Sequence, residues 1–387
     1  MKRLTLLLLG LALGVSATAS AQGLTMQMSN GWSFSFSGNV NAFWVFSKQN
    51  NSGPANSSVR TGLLPAFATF EAKGKEAGLN LGVHFGFAPQ INNGPAHDQF
   101  GSLPDGIQAG AQIDMRQVYL TVGFKDGSQI LAGRELGLFS RQNILQDMTL
   151  FGVGAVGIGP AGTQAKGTTL GRIAYGYIYP NFVPQVTYST KPGQAQLSIG
   201  LFQPSVFGGG AGAYDVTKIP RVEAEFTYNQ KSGKNNYMFW LGGLWQSTSN
   251  APSGGSTVSS FGGTAGIKAG LSDLSIVVNG YIGKGLGTGL LFSGGEVVLG
   301  DTLSKSDGGY AQLMYKVGPK TNLGASWGFS RLKFQDVVVS NVYSYTAGIY
   351  HQWTKSLKLV FEGTEEGSTG PGRPKQIDLS GGFMLFF

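Results

Sequence analysis

Trp32-Ser33-Phe34-Ser35-Phe36-Ser37-Gly38-Asn39-Val40-Asn41-Ala42-Phe43-Trp44-Val45-Phe46 is the stretch that decides the fold. Trp32, Phe34, Phe36, Val40, Ala42, Trp44 and Phe46 fall on one parity, and Ser33, Ser35, Ser37, Asn39 and Asn41 on the other. A β-strand sends successive side chains to opposite faces, so one face here is apolar and the other polar. The same alternation returns at Leu79, Leu81, Val83, Phe85 and Phe87, set against Asn80, Gly82, His84 and Gly86. It returns again at Val222, Ala224, Phe226 and Tyr228, set against Arg221, Glu223, Glu225 and Thr227, and at Leu323, Ala325, Trp327 and Phe329, set against Asn322, Gly324, Ser326 and Ser330. A soluble sandwich also alternates. Two features argue against one: the polar face stays small or charged in strand after strand, and rings stand near strand ends, as at Trp32, Tyr228, Tyr237, Trp245, Tyr343, Trp353 and Phe387. Amphipathic rings collect where a membrane meets water.

Composition points the same way. The chain is 12% aromatic and only 12% charged, where soluble domains carry about 25% charge. Yet its densest apolar segment, residues 237–245, already contains Gly242 and Gly243, far short of the roughly twenty residues of a membrane helix. A membrane chain without such helices must close into a barrel, because only closure satisfies every strand's backbone groups in hydrocarbon. The expected fold class is therefore all-β, a transmembrane antiparallel barrel.

The first residues have the layout of a cleaved leader: Lys2 and Arg3, an apolar run from Leu4 to Val15, then Ala19-Ser20-Ala21. Residues 1–21 are expected to be a signal peptide, and residues 22–387 one barrel domain in the outer membrane of a bacterium. Without Lys2 and Arg3 the formal charge falls from +8 to +6. That excess suits either a preference inside the pore or a coat facing anionic lipid.

Chemistry is sparse. There is no cysteine, which removes disulfides, thiolate metal sites and cysteine nucleophiles. His84, His97 and His351 lie far apart in sequence, and no HExxH, GxSxG or paired metal-ligand spacing occurs. Residues 283–287 have the glycine rhythm of a phosphate loop but no lysine at the required place. No catalytic residue, cofactor or metal is expected.

The connections alternate short and long. Short ones include residues 74–78, 125–127, 270–273 and 318–320; long ones include 47–61, 89–112, 284–308, 332–340 and 365–374. Outer-membrane barrels have short periplasmic turns and longer outer loops. Seven turns and eight loops close sixteen strands. In the last strand Ile377, Leu379, Phe383, Leu385 and the terminal Phe387 share a parity.

Several runs carry a family resemblance. Met115-Arg116-Gln117-Val118-Tyr119-Leu120 resembles the fourth strand of Gram-negative trimeric general porins, and Ile130-Leu131-Ala132-Gly133-Arg134 resembles their fifth. Pro184-Gln185-Val186-Thr187-Tyr188-Ser189-Thr190 is similar to their strand after the constriction loop. Gly348-Ile349-Tyr350-His351-Gln352-Trp353-Thr354-Lys355 is similar to a late strand and its turn. The ending in Phe387 resembles that of bacterial outer-membrane proteins, where it serves the barrel-assembly machinery.

The resemblance implies a homotrimer in outer-membrane lipid and a long third loop folded into the lumen. That loop would run between residues 136 and 184, and it holds Arg141, Asp147, Lys166 and Arg172. Its glycine-rich centre, residues 152–162, would lie flat against a wall. The resemblance further implies a constriction with Arg134 on a basic wall and Asp147 on the loop, beside Arg141, Arg172 and Glu135. Each residue has a blander alternative. Arg134 pairs with Glu135 or caps a strand, Arg141 holds the loop to the wall, and Arg172 begins an extra strand over residues 171–179. By parity Arg221, Glu223 and Glu225 face the lumen, either touching solute or pairing with one another; Lys268 and Lys316 join them there. Arg116 shares the parity of Val118 and Leu120, so it would snorkel at the outer rim.

The leading functional expectation is a water-filled channel for passive diffusion of small hydrophilic solutes and ions. The alternative is a solute-selective channel of the anion or phosphate type, favoured by the basic excess and by Arg134, Arg141 and Arg172. A barrel enzyme or adhesin is the third reading, and no catalytic set supports it; His351 lies on the apolar parity of its strand.

Overall fold

Alternation this long, repeated without helical interruption, folds as one antiparallel sheet. The computed structural model describes residues 23–50, 55–91, 113–158, 167–207, 213–250, 255–292, 297–299, 302–369 and 374–387. The leader, Lys166, His97 and most of the connection over residues 89–112 lie outside these.

Sixteen strands follow in order. They are β1 Ser33–Gln49, β2 in two parts, Ala55–Arg60 and Phe67–Glu76, β3 Leu79–Pro89, β4 Ile113–Gly123, β5 Gln129–Leu136, β6 Phe182–Ser189, β7 Ala195–Phe202 and β8 Arg221–Ser232. The second half comprises β9 Asn235–Asn250, β10 Thr257–Leu271, β11 Leu274–Lys284, β12 Lys305–Lys316, β13 Thr321–Phe334, β14 Val337–Gln352, β15 Leu357–Ser368 and β16 Lys375–Phe386. Each pairs antiparallel with the next, and β16 closes on β1 from Asn39↔Phe386 to Gln49↔Gln376. Phe387 completes the seam by exchanging two backbone hydrogen bonds with Gly38, each 3.0 Å. A short N-terminal strand, Leu24–Gln27, pairs with β1 where β16 stops. Among the described residues, no helix is long and apolar enough to cross a membrane.

The faces separate as alternation requires. On β1, Val40 and Trp44 are 51% and 49% exposed, whereas Asn39 and Asn41 are 4% and 1% exposed. The apolar side chains therefore point away from the sheet's enclosed side, the reverse of a soluble core and the arrangement lipid demands.

Three local features depart from the sequence expectation. Residues 332–340 form no long loop: β13 and β14 run on to a two-residue turn, Gln335 and Asp336, both with positive φ. Such mirror-image turns match the twist of paired strands. Likewise β15 continues through Ser368, into what alternation marked as loop. In β4 the register shifts between Gly86 and Phe87 of its neighbour, leaving Arg116 as an extra residue. That bulge turns Arg116 to the polar face, while Met115 stays 45% exposed on the other. Arg116 is buried, bonded to Asp114 at 2.8 Å, and does not snorkel at the rim.

At the short-turn end, Ser128 donates its hydroxyl and backbone N–H to Asp126 at 2.7 and 2.9 Å. These bonds hold the Asp126 carboxyl below the usual carboxylate range.

Candidate functional site

The longest described connection, residues 137–181, follows β5 and carries most of the candidate residues. It contains a short helix, α1, Arg141–Leu145, and a 3-10 turn, Met148–Phe151. Neither has the length to be stable alone. Their order comes from bonds to the polar face of distant strands.

Four carboxylates supply many of those bonds. Glu223 on β8 accepts the Phe139 N–H at 2.9 Å. Glu225 accepts from Arg141 at 2.6 Å and from Gln142 at 3.1 Å. Glu362 on β15 accepts the N–H groups of Val153 and Gly154, both at 2.8 Å. Glu366 accepts those of Val156 and Gly157 at 3.2 and 3.1 Å. Ionised acceptors make hydrogen bonds worth about 1.5–3 kcal/mol each. A Cβ at Gly152 would run into Glu362 Oε1, so the carboxylate or the segment would have to shift. The described part of the glycine-rich centre thus lies against β15.

Cations fasten the other side. Arg172 is fully buried. Its Nη1 donates to the carbonyl and hydroxyl oxygens of Ser344 at 2.6 Å each, its Nη2 to Ser326 O at 2.6 Å, and its Nε to Ser326 Oγ at 3.0 Å. Arg60, at the break in β2, donates to Thr168 O at 2.8 Å. Lys268 Nζ donates to Gln146 Oε1 at 2.9 Å, and Gln312 reaches both Gln146 O and Met148 N–H.

Apolar contact completes the attachment. Phe43, Val45, Trp240, Tyr310, Tyr350 and Val360 sit on the polar parity of their strands yet are buried in one cluster with Ile144, Met148, Leu150 and Tyr177. Trp240 Nε1 donates to Asn143 at 2.8 Å, and Tyr310 OH to Asn143 O at 2.7 Å.

The constriction expected from the resemblance is assembled differently. Arg134 pairs in register with Val118 and Pro184, on the apolar parity with Ile130 and Ala132. Strict alternation puts it on the opposite face from Glu135, so it lines no polar wall; its Nη1 donates to Phe182 O at 2.9 Å. Asp147 does not face open space either: it is 3% exposed and accepts from Thr149 N–H, Thr149 Oγ1, Arg172 N–H and Tyr177 OH at 2.7–3.2 Å. Its role is to cap the 3-10 turn. Residues 171–179 form isolated bridges, not a strand. Arg221 and Glu223 pair at 2.8 Å, both buried. Lys316 stands exposed at the short-turn end of β12.

What remains on the polar face of β2–β5 is a chain of partners. Lys73 Nζ meets Glu71 at 2.7 Å, and Glu71 meets His84 Nδ1 at 3.1 Å. His84 Nε2 lies 3.3 Å from Gln117, whose Nε2 donates to Glu135 at 2.7 Å. His84 also stacks on Tyr119, with ring centroids 4.6 Å apart. Sequence reading missed Glu71 and the two anchoring residues Glu362 and Glu366. Glu362 and Glu366 share one face of β15, four residues apart, and that spacing is a signal once the strand is recognised.

A family model described as Gram-negative porin matches residues 5–370. Among solved structures, the chain is similar to the outer membrane channel DcaP of Acinetobacter baumannii, at 13% identity and TM-score 0.67, over 94% of this chain and 99% of that one. An anion-selective porin from Comamonas acidovorans is similar at 14% identity and TM-score 0.63, over 92% and 100%. OmpT of Vibrio cholerae in its trimer form is similar at 12% identity and TM-score 0.56, over 92% and 100%. No curated protein matches the chain.

Proposed function

The chain belongs to the Gram-negative porin family, and from that premise we propose that residues 137–158 and 167–181 lie within its barrel and set the narrowest part of a water-filled diffusion channel through the outer membrane. The observation that carries this reading is the attachment of the connection to polar-face side chains of β8, β10, β12, β13, β14 and β15. In a closed barrel the polar face borders the lumen. A segment bonded to that many strands on that face crosses the lumen rather than capping it.

The wall of β2–β5 is then the free side of the passage. Glu71, Gln117 and Glu135, each partly exposed, face solutes there, and the buried His84 links Glu71 to Gln117. Three cations that an anion-selective pore would need free in the lumen have protein acceptors: Arg141 has Glu225, Arg172 has Ser326 and Ser344, and Lys268 has Gln146. That favours a general diffusion pore over the anion-selective version. Trimeric assembly is part of the proposal, supported by the similar OmpT, which has a trimer form. So is recognition of Phe387 by the assembly machinery.

Planar-bilayer recording tests the reading. Purified protein is expected to insert as steady, ohmic channels. Deleting residues 141–157 should raise single-channel conductance; an unchanged conductance would show that the connection does not narrow the pore.

A further inference from the structure

Gly262 on β10 and Gly283 on β11 pair in register on the polar parity, so two adjacent strands offer bare backbone there. Leu286 fills the space: a Cβ at Gly262 or Gly283 would come within 2.5 or 2.6 Å of its Cδ1. The chain therefore turns onto the polar face as soon as β11 ends. Gly285 and Gly287, both at positive φ, make that turn, and Gly285 N–H donates to Ser304 O at 2.7 Å where the chain returns to β12. Leu291 and Phe292 join Leu286 in one buried cluster with Tyr281 of the polar face and with Phe139 and Ile178 of the connection after β5.

Residues 285–292 reach far across. Tyr179 N–H donates to Gly289 O at 2.8 Å, and Leu291 N–H to Tyr179 O at 3.2 Å, so Leu290 and Tyr179 form a parallel bridge. Tyr179 OH lies 3.5 Å from Arg116 Nη1 on β4. In a barrel of sixteen strands, β4 and β11 stand nearly opposite. The crossing also lies above the first one. On β10, Thr264 and Lys268 hold the connection after β5, whereas Leu286 sits at Gly262, nearer the long-loop end of the strand. Long loops mark the outer side.

Phe292 holds the crossing in place. Its φ is 61°, an outlier for a bulky side chain. Such strain persists only where the surroundings over-determine it. The ring stacks on Phe207 with centroids 5.9 Å apart and planes 8° apart, and Phe207 stacks on Tyr214 at 5.4 Å. It also lies 5.5 Å from the guanidinium of Arg221, which stands 5.7 Å from the Phe202 ring. Arg221 is buried; its Nε and Nη1 donate to Glu223 and Ser205, and its Nη2 meets no acceptor among the described residues. A desolvated guanidinium gains most from ring faces, so Arg221 and Phe292 stabilise each other.

We propose that Phe292 is the positioning residue of a second narrow point, formed where residues 285–292 cross the lumen to Tyr179, and that this outer point sets the size limit for entering solutes. The proposal rests on the channel reading above. Solutes then pass two restrictions in series, the outer one sieving by size and the inner one lined by the charged β2–β5 wall.

Single-channel recording with a size series of polyethylene glycols on the outer side tests this. Phe292→Gly removes the ring and relaxes the backbone. Because permeation follows pore diameter, it should raise conductance up to about twofold, the limit for one of two equal resistances in series, and admit larger polymers. A tether supplies the rescue. A Cβ at Gly289 would stand 3.7 Å from Ala174 Cβ, within disulfide range, and the chain has no cysteine of its own. Adding Ala174→Cys and Gly289→Cys to Phe292→Gly should return conductance and size limit toward the unaltered values on oxidation, and release them on reduction. The same two cysteines in the unaltered background test the crossing should Phe292→Gly fail to fold: no disulfide between them overturns the proposal. An unchanged size limit in Phe292→Gly overturns it too, as does a formed tether that rescues nothing. A protein that makes no channels fails the diffusion reading itself, whereas a channel indifferent to Phe292 fails only this proposal.

Discussion

Arg141 Nη2 donates to Glu225 Oε1 at 2.6 Å, and this contact joins α1 to the polar face of β8 across 84 residues of chain. The side chains are 17% and 4% exposed, so the pair is largely desolvated. Removing one partner leaves the other charge uncompensated, which costs about 3–5 kcal/mol for a buried pair.

Arg141→Ala and Glu225→Ala should therefore each release α1 and produce flickering conductance. The exchange Arg141→Glu with Glu225→Arg should restore part of the quiet open level. Single-channel recording of all three variants checks this; equally quiet traces would show that the pair does not hold the helix.

Arg172 reaches Ser326 and Ser344, on neighbouring strands, with one planar group. A lysine offers a point charge and no fork. Arg172→Lys should destabilise the protein by about 1–3 kcal/mol, the cost of leaving buried polar groups unpaired. The temperature at which the folded barrel loses its compact electrophoretic mobility reports it.

Gly152→Ala places a methyl group against Glu362, the acceptor for two backbone N–H groups. Overpacking of this kind costs about 1–3 kcal/mol. The segment should move off β15 and raise conductance noise, whereas Gly243→Ala, where a Cβ meets nothing closer than 4.0 Å, should be neutral.

Glu71 and Glu135 are two carboxylates of the β2–β5 wall. Replacing both by glutamine should lower the cation-to-anion permeability ratio, roughly twofold or more, because fixed lumen charge favours its counter-ion. Reversal potentials in a salt gradient measure this. Asp147→Asn should instead act on stability and leave the ratio little changed, given how Asp147 is buried.

Phe387 packs on Phe36, with ring centroids 5.2 Å apart, and remains 37% exposed. An aromatic pair adds only about 0.5–1.5 kcal/mol. Phe387→Ala should thus refold in detergent nearly as well as the unaltered chain, while its yield in the outer membrane of cells falls several-fold. Equal yields would remove the residue from assembly.

Alternation was legible wherever lipid imposed it. Val40 against Asn41 or Leu323 against Gly324 needs no partner to be read, since each strand meets hydrocarbon on one side. The ends were less legible: Arg331 and Lys333 ended the apolar pattern although β13 continued, because the headgroup layer accepts cations on the same face. Arg116 escaped because a bulge shifts parity by one residue, and nothing in Met115-Arg116-Gln117 announces it.

The sequence by itself determined the closed barrel, its strand number, and the sorting of side chains between two faces, because a period of two is local and lipid selects it residue by residue. Tertiary structure alone decided what the inner charges do. Glu223, Glu225, Asp147 and Arg172 carry the same formal charges whether they meet solute or the chain's own N–H groups and hydroxyls. Which of these they meet depends on where the described parts of the connection, residues 137–158 and 167–181, pack. That path is set by contacts between positions more than eighty residues apart, such as Arg141 with Glu225 and Gly154 with Glu362, which no local period encodes.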